Sequence, residues 1–172
     1  MWLNPYGQDA VELLTELANA RPTSIDELVE RCRAAGISLD IPIGKNDLAI
    51  TLELIDRWCE IVDTRDEQQR AKLVNRLLAE TTAHPRMSDH DGVWHMHYRP
   101  DDLTLGAVLG ALASVGTALH LSGRGMHRLD RCSLAECTNV YVDTSRTGKQ
   151  RYCSTRCSNR DAVRRHRARS VH

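Results

Sequence analysis

The sequence predicts an α+β fold, mostly α: a helical N-terminal domain with one β-hairpin at residues 1–123, followed by a small four-cysteine module at residues 124–172. Three observations predict it. Apolar residues recur at helical spacing over five stretches before residue 123. One short stretch, Val93 to Tyr98, alternates with a period of two instead. Four of the six cysteines fall in two close pairs near the C-terminus.

The first helix runs from about Gly7 to Asn19, with Val11, Leu14, Leu17 and Ala18 at helical spacing. Pro22-Thr23-Ser24 punctuates the chain. Thr23 or Ser24 caps a second helix, about Ile25 to Ala35, whose first turn carries Asp26 and Glu27 at the positive end of the helix dipole. Gly36 is its C-terminal cap. Residues 37–46 hold Pro42 and Gly44 and read as irregular. Leu48, Leu52, Ile55, Cys59 and Val62 line one face of a third helix, and Asp66 through Ala83 forms a fourth with Leu73, Leu77 and Leu78 inwards.

His84-Pro85 breaks the helical pattern. The half-buried strand that follows puts Trp94, Met96 and Tyr98 on one face and His95 and His97 on the other. Asp91-Gly92 is a hairpin turn signal, with Arg86 to Ser88 as the partner strand. A fifth helix spans Leu103 to about Ser122. In it Gly106, Gly110, Ser114 and Ala118 fall four apart, a stripe that lets another helix approach closely, from this chain or from a second copy. Each mid-helix glycine costs about 1 kcal/mol against alanine, so packing must compensate. Ser122-Gly123-Arg124-Gly125 marks the domain boundary.

Hydrophobic content of 41% and charged content of 27% are those of a soluble globular chain. No stretch reaches the roughly 18 uncharged apolar residues of a membrane span; Leu103–Leu121 comes nearest and carries Thr104, Ser114, Thr117 and His120. The N-terminus lacks a basic region followed by an apolar core, so no secretory signal is expected. The expected compartment is the cytoplasm, where cysteines serve as thiols or metal ligands before disulfides. The net charge of zero hides a strong asymmetry. Residues 124–172 hold 12 of the 23 Lys+Arg and 4 of the 23 Asp+Glu, a net +8 that leaves −8 on residues 1–123. A basic tail on an acidic body suggests a polyanionic partner for the tail, or docking of tail on body.

Cys132-x4-Cys137 and Cys153-x3-Cys157 can wrap one tetrahedral Zn2+ through four thiolates. The spacing alone also admits an iron–sulfur cluster. A metal would explain how so small a unit folds with so few apolar residues. A closed four-thiolate set leaves no open position for water, so the ion is structural rather than catalytic. Between the pairs, Val140 to Asp143 reads as a strand, Thr147-Gly148 as a turn and Gln150 to Tyr152 as the return strand. Ser154 then caps a helix running to about Arg169, which gives a treble-clef-like zinc finger. Arg156, Arg160, Arg164 and Arg167 succeed each other along one helix face, and Arg165, His166 and Arg169 widen the positive surface. Asn159 projects from the first turns. Arginine pairs bidentately with guanine and asparagine with adenine in the major groove, while further arginines hold phosphates. The sites read from the sequence are therefore Cys132, Cys137, Cys153 and Cys157 for the metal, and Arg156, Asn159, Arg160, Arg164, Arg165, Arg167 and Arg169 for DNA.

The run Cys153-Ser-Thr-Arg-Cys157-Ser158-Asn159-Arg160, followed by Asp161-Ala-Val-Arg-Arg-His166-Arg167, resembles the CGNR zinc-finger family. So does the preceding stretch from Arg131-Cys132 to Asp143-Thr144-Ser145-Arg146. Ser158 stands where the family's naming tetrapeptide has glycine; the thiolate, Asn159 and Arg160 are kept. The hairpin from Pro85 to Tyr98 and the helix after it are similar to the ABATE domain that usually precedes such fingers. The resemblance implies a bacterial stress-induced transcription regulator, with an N-terminal sensing or dimerising domain and a C-terminal DNA reader. Two short readers on two half-sites imply a homodimer on double-stranded DNA, cytoplasmic and nucleoid-associated when bound.

His84, His90, His95 and His97 crowd into fourteen residues with Asp89 and Asp91. His90, His95 and His97 are a candidate small-molecule or metal effector site; a polar strand face beside a loop is the other reading. Cys59 falls in an apolar stripe, Cys32 lies between Arg31 and Arg33 as a candidate redox thiol, and His120 and His127 have no assignable partner. No phosphate-cradling glycine loop, dinucleotide fingerprint or Gly-x-Ser-x-Gly elbow is present, so no enzyme is expected. Two alternatives stay open: a finger that grips RNA or a protein, and a metal-dependent enzyme centred on the histidine-rich hairpin.

Overall fold

Helix α1 (Gln8–Asn19) turns Ala10, Val11, Leu13, Leu14 and Leu17 inwards. Helix α2 (Ile25–Ala34) begins at Ser24, whose hydroxyl accepts the Glu27 amide, while the Glu27 carboxylate accepts the Thr23 amide and hydroxyl. It closes in a Schellman motif: Gly36 takes a left-handed φ of 75°, its amide reaches Arg33 O, and the Ile37 amide reaches Cys32 O. Helices α3 (Asp47–Asp63) and α4 (Glu67–Thr81) follow, the latter capped by Asp66. Strands β1 (Arg86–Ser88) and β2 (His95–His97) then form an antiparallel hairpin, and α5 (Leu105–Arg124) runs through the centre. A 3-10 turn (Met126–Arg128) leads to β3 (Leu129–Arg131), which pairs with β4 (Val140–Val142), and α6 (Thr155–Arg169) ends the chain. This computed structural model describes residues 7–37, 40–89, 92, 94–100 and 102–169.

The architecture is the expected one, mostly helical with small hairpins, and α5 organises it. Helices α1, α3 and α4 all pack on α5. The helix is long and apolar enough to cross a membrane, and 72% of its most apolar window is buried inside this fold. The small-residue stripe is used within the chain. Gly106 faces Asp47 and Ile50 of α3; Gly110 and Ser114 face Thr81 of α4, whose hydroxyl lies 2.8 Å from that of Ser114. Among the glycines of α5 the tightest approach is at Gly116, outside the stripe, where an added Cβ would lie 2.6 Å from the Cβ of Ala10.

The inward faces of α3 and α4 are shifted from the simple periodic reading. Asp47, Thr51, Leu54, Ile55, Trp58, Ile61 and Val62 are the buried positions of α3, with Leu48, Leu52 and Cys59 half-buried. Helix α3 packs on α1, α4, α5 and β3, so burial spreads beyond one stripe. Trp58 is the largest of the fully buried side chains, and its indole N–H finds the Thr117 hydroxyl at 3.0 Å. In α4 the buried residues are Arg70, Val74 and Leu77. Arg70 is covered because its guanidinium donates to Thr64 O, Val62 O and Met126 O, closing the end of α3 and the turn after α5.

The β1–β2 register is Arg86 with His97 and Ser88 with His95. The alternation is as predicted, but the histidine face is the covered one. His97 is buried, while Trp94 is 64% exposed and Met87 and Met96 also face out. The polar side is coverable because its groups satisfy one another: Arg86 approaches His97 Nδ1 at 3.4 Å, and the Nε2 atoms of His95 and His97 lie 2.9 Å apart. Asp91 and Val93, assigned to the turn and the strand, lie outside the described residues.

Helix α5 continues through Ser122 and Gly123, where the sequence suggests a boundary, and ends at Arg124. The main core includes Leu129 and Val140 alongside the helical residues, so the finger's first hairpin shares the body's core. The expected return strand at Gln150–Tyr152 is absent, and β4 pairs with β3 instead. The reason is Asp143, whose carboxylate accepts the Ser145 amide at 2.9 Å and the Gln150 amide at 3.0 Å. A side chain closes that loop in place of a strand ladder.

Two predictions follow from this packing. Gly116→Val should destabilise the protein by about 1–3 kcal/mol in urea unfolding, the usual cost of overpacking; unchanged stability would mean that α1 and α5 are not held this close. His120 on α5 is 0% exposed, and burial, followed by the Arg124 and Arg128 charges, pushes its pKa down to about 4. Above pH 6.5 the ring is neutral folded or unfolded, whereas between 6.5 and about 4 only the unfolded chain gains the proton. Stability therefore falls with acid across that window, and His120→Leu should flatten the slope between pH 6.5 and 5. Equal slopes would contradict this assignment.

Candidate metal centre and its cationic helix

The second hairpin delivers the first pair of cysteines. The Cys132 amide donates to Asn139 O at 2.8 Å and the Cys137 amide to Leu134 O at 2.9 Å, folding residues 132–139 into a tight knuckle. The Ser133 amide donates to Arg151 O at 2.8 Å, which brings in the segment leading to the second pair. Ser154 caps α6: its hydroxyl accepts the Cys157 amide at 3.2 Å. Cys153 thus stands just before the helix and Cys157 in its first turn.

The four sulfurs all lie within 4.8 Å of one another. Cys137 Sγ is 3.7 Å from Cys153 Sγ, which is 3.6 Å from Cys157 Sγ. A disulfide needs about 2.05 Å. A tetrahedron of thiolates about 2.3 Å from zinc has edges of about 3.8 Å, so the cluster fits the ion. The chemistry agrees with the geometry. Burial first, and then the sulfurs of Cys157, Cys137 and Cys132, push the Cys153 thiol up to about 12. Four thiolates cannot share this space without a cation. The Cys153 amide also points at Cys132 Sγ, 3.4 Å away, as a donor to a thiolate would. Around the sulfurs the only well-buried carbon side chain is Leu134, with Tyr152 partly covered. The metal is in effect the core of this unit.

Helix α6 buries only Cys157 and Asp161. Every residue from 162 to 169 is exposed. Asp161 is a node: its carboxylate accepts the Tyr152 hydroxyl at 2.7 Å and pairs with Arg164 at 2.7 Å and Arg165 at 3.1 Å. Tyr152, then Arg164 and Arg165, hold that carboxyl below the usual carboxylate range. On the outer side a groove is lined by Glu136, Arg156, Asn159, Arg160, Val163, Arg164 and Arg167. It gathers five of the seven residues assigned to DNA from the sequence; Arg165 and Arg169 are not in its wall. Arg160 pairs with Glu136 at 3.3 Å. Among the described residues, Arg156 and Arg167 have no hydrogen-bond or ion-pair partner and offer their full donor sets to solvent. The sequence reading did not single out Glu136, took Tyr152 only as a strand residue and Asp161 only as part of the motif. The spacing of Asp161 to Arg164 and Arg165, three and four residues, is the signal that was available.

The histidine cluster does not assemble a metal site among the described residues. His95 and His97 share a ring-to-ring hydrogen bond, His90 lies outside the described residues, and the four cysteines form the one metal-ligand group of three or more found there. Cys32 is fully buried, and burial pushes its thiol up to about 11, which removes it as a redox thiol. Cys59 is half-buried and raised for the same reason.

Cys157→Ala should abolish stoichiometric zinc in the purified protein, whereas Asp161→Asn should keep it, as read by elemental analysis. Full zinc in the cysteine variant would break the four-ligand assignment.

The comparisons agree with the geometry. No curated protein gives a significant match. Residues 128–170 match the family model of the CGNR zinc finger, a span that begins at Arg128 and takes in all four sulfur ligands and helix α6. The chain therefore carries, at its C-terminal end, a zinc-binding finger of the CGNR family.

Proposed function

We propose that the protein is a sequence-specific, double-stranded DNA-binding transcription regulator whose zinc finger presents α6 to the major groove. One observation carries this reading: the outer half of α6, residues 162–169, stands entirely in solvent and bears Arg164, Arg165, Arg167 and Arg169, while its inner end is anchored at the metal. An exposed helix about 10 Å wide fits the major groove. Arg156 and Arg167 supply unpaired guanidiniums about 16 Å apart along the axis. The acidic body, at −8, repels phosphate and confines contact to the finger.

In this reading the protein is no enzyme, because a closed four-thiolate zinc has no open coordination position. Residues 1–123 form the sensing or dimerising part, ABATE-like by resemblance, and the protein works in the cytoplasm of a bacterium on the nucleoid. A homodimer would place two α6 helices on two half-sites. The α5 glycine stripe is occupied by α3 and α4, so a dimer must use another surface, and the hairpin leaves Met87, Trp94 and Met96 uncovered.

Site selection from a random duplex library at about 0.15 M salt tests the reading. An enriched motif supports it; zinc-loaded protein that enriches nothing would contradict it. On the selected duplex, Arg167→Ala should weaken binding about five- to tenfold and reduce the salt slope by about 1, with zinc content unchanged.

A further inference from the structure

Asp161 divides the arginines of α6 into two groups. Arg164 and Arg165 are drawn to the flanks of the helix by its carboxylate. At about 100° per residue, Val163 lies between Asn159 and Arg156 around the helix, and Arg156 and Arg167 fall within about 40° of it. The centre of the outward stripe is therefore an arginine, a valine and an arginine, with Asn159 on one edge and Arg160 on the other.

Val163 is 50% exposed, and it is the one large apolar side chain left exposed in the finger among the described residues. It is not a core residue: the buried positions of α6 are Cys157 and Asp161. A β-branched residue on a solvent-facing turn also lowers helix propensity slightly against the arginines around it. Single exposed apolar residues are common on surfaces. This one, however, lines the same groove as Arg156, Asn159, Arg160 and Arg167. Glu136 stands in the same groove wall, where it pairs with Arg160. A carboxylate there would oppose a ligand that offered phosphate alone, whereas base edges also present amino donors.

Resting on the DNA-binding reading above, we infer that Val163 is a specificity-determining residue that packs against the 5-methyl group of a thymine in the major groove. Thymine is the only DNA base whose major-groove edge carries a methyl group. Asn159 lies one turn away, about 6 Å along the axis, and its amide matches the N6 and N7 atoms of adenine. The pair reads an adenine and a thymine within about two base steps of each other, and Arg156 and Arg167 straddle that step. The same contact disfavours RNA, since uracil lacks the methyl and an A-form major groove is too narrow to admit the helix.

The test uses full-length zinc-loaded protein and the duplex selected from the random library, with each thymine replaced in turn by deoxyuridine. One position within two steps of an adenine should lose about three- to fivefold in affinity with the wild-type protein, the worth of one methyl group taken out of water. Val163→Ser, with zinc content unchanged, should bind the thymine and deoxyuridine duplexes equally. Uniform binding of all substituted duplexes by the wild type, or an equal loss in wild type and Val163→Ser, overturns the inference and leaves the DNA-binding reading standing. Failure to select or bind any duplex overturns both.

Discussion

Four sulfur atoms within 4.8 Å of one another cannot all be charged unless a cation lies among them. That constraint governs the whole C-terminal quarter of the chain. The metal draws the Cys132–Cys137 knuckle and the start of α6 together across fifteen residues that contain no strand of their own between Asp143 and Tyr152. It thereby fixes where α6 begins and which way it points. Asp161, one turn after Cys157, is buried as a consequence, and through it Tyr152, Arg164 and Arg165 take their places. Without the ion the apolar content near the sulfurs reduces to Leu134 and Tyr152, far too little for an independent core.

The finger is held to the body by contacts of different kinds. Asn19, the last residue of α1, donates from Nδ2 to Val140 O and accepts the Val140 amide, at 2.9 and 2.8 Å, pairing with β4 as a neighbouring strand would. Asp63 at the end of α3 takes Arg131 through two nitrogens, at 2.7 and 2.9 Å. Arg128 threads under the Asp143 loop, donating to Ser145 O at 2.6 Å and to Arg124 O at 3.0 Å. Leu129 and Val140 complete the joint from within the main core. Exposed ion pairs such as Asp63–Arg131 stabilise by about 1 kcal/mol at most; the shared apolar core is the stronger tie. Under the proposed function, a body that dimerises would set the separation and orientation of two α6 helices through this joint.

Much of the architecture was legible because local rules and tertiary needs coincide. The caps at Ser24 and Gly36, the approximate helix spans and the β1–β2 pairing follow from residue chemistry alone. The four-cysteine set was legible because metal ligation tolerates few other readings of such spacing. What escaped depends on contacts between distant residues. The faces of α3 and α4 shift because each helix serves several neighbours, and no single period describes that. The hairpin covers its histidines because Arg86, His95 and His97 satisfy one another, a trade that hydropathy does not register. The Gln150–Tyr152 strand failed to form because Asp143 captures the amides that a ladder would have used. In the site, Arg156 and Arg167 were readable as exposed cations, but the pairing of Arg160 with Glu136 and of Arg164 and Arg165 with Asp161 required the fold.

Under the proposed function, shape imposed by the metal, and not positive charge alone, makes α6 a DNA reader. Removing zinc leaves every arginine in place, so the two explanations separate cleanly. The decisive measurement is the affinity of the full chain for its selected duplex at about 0.15 M salt, before chelation, after chelation and after zinc is restored. The account predicts that sequence-specific binding disappears on chelation and returns with zinc, while weak, non-specific attraction persists throughout. Undiminished specific binding by the zinc-free protein would contradict it.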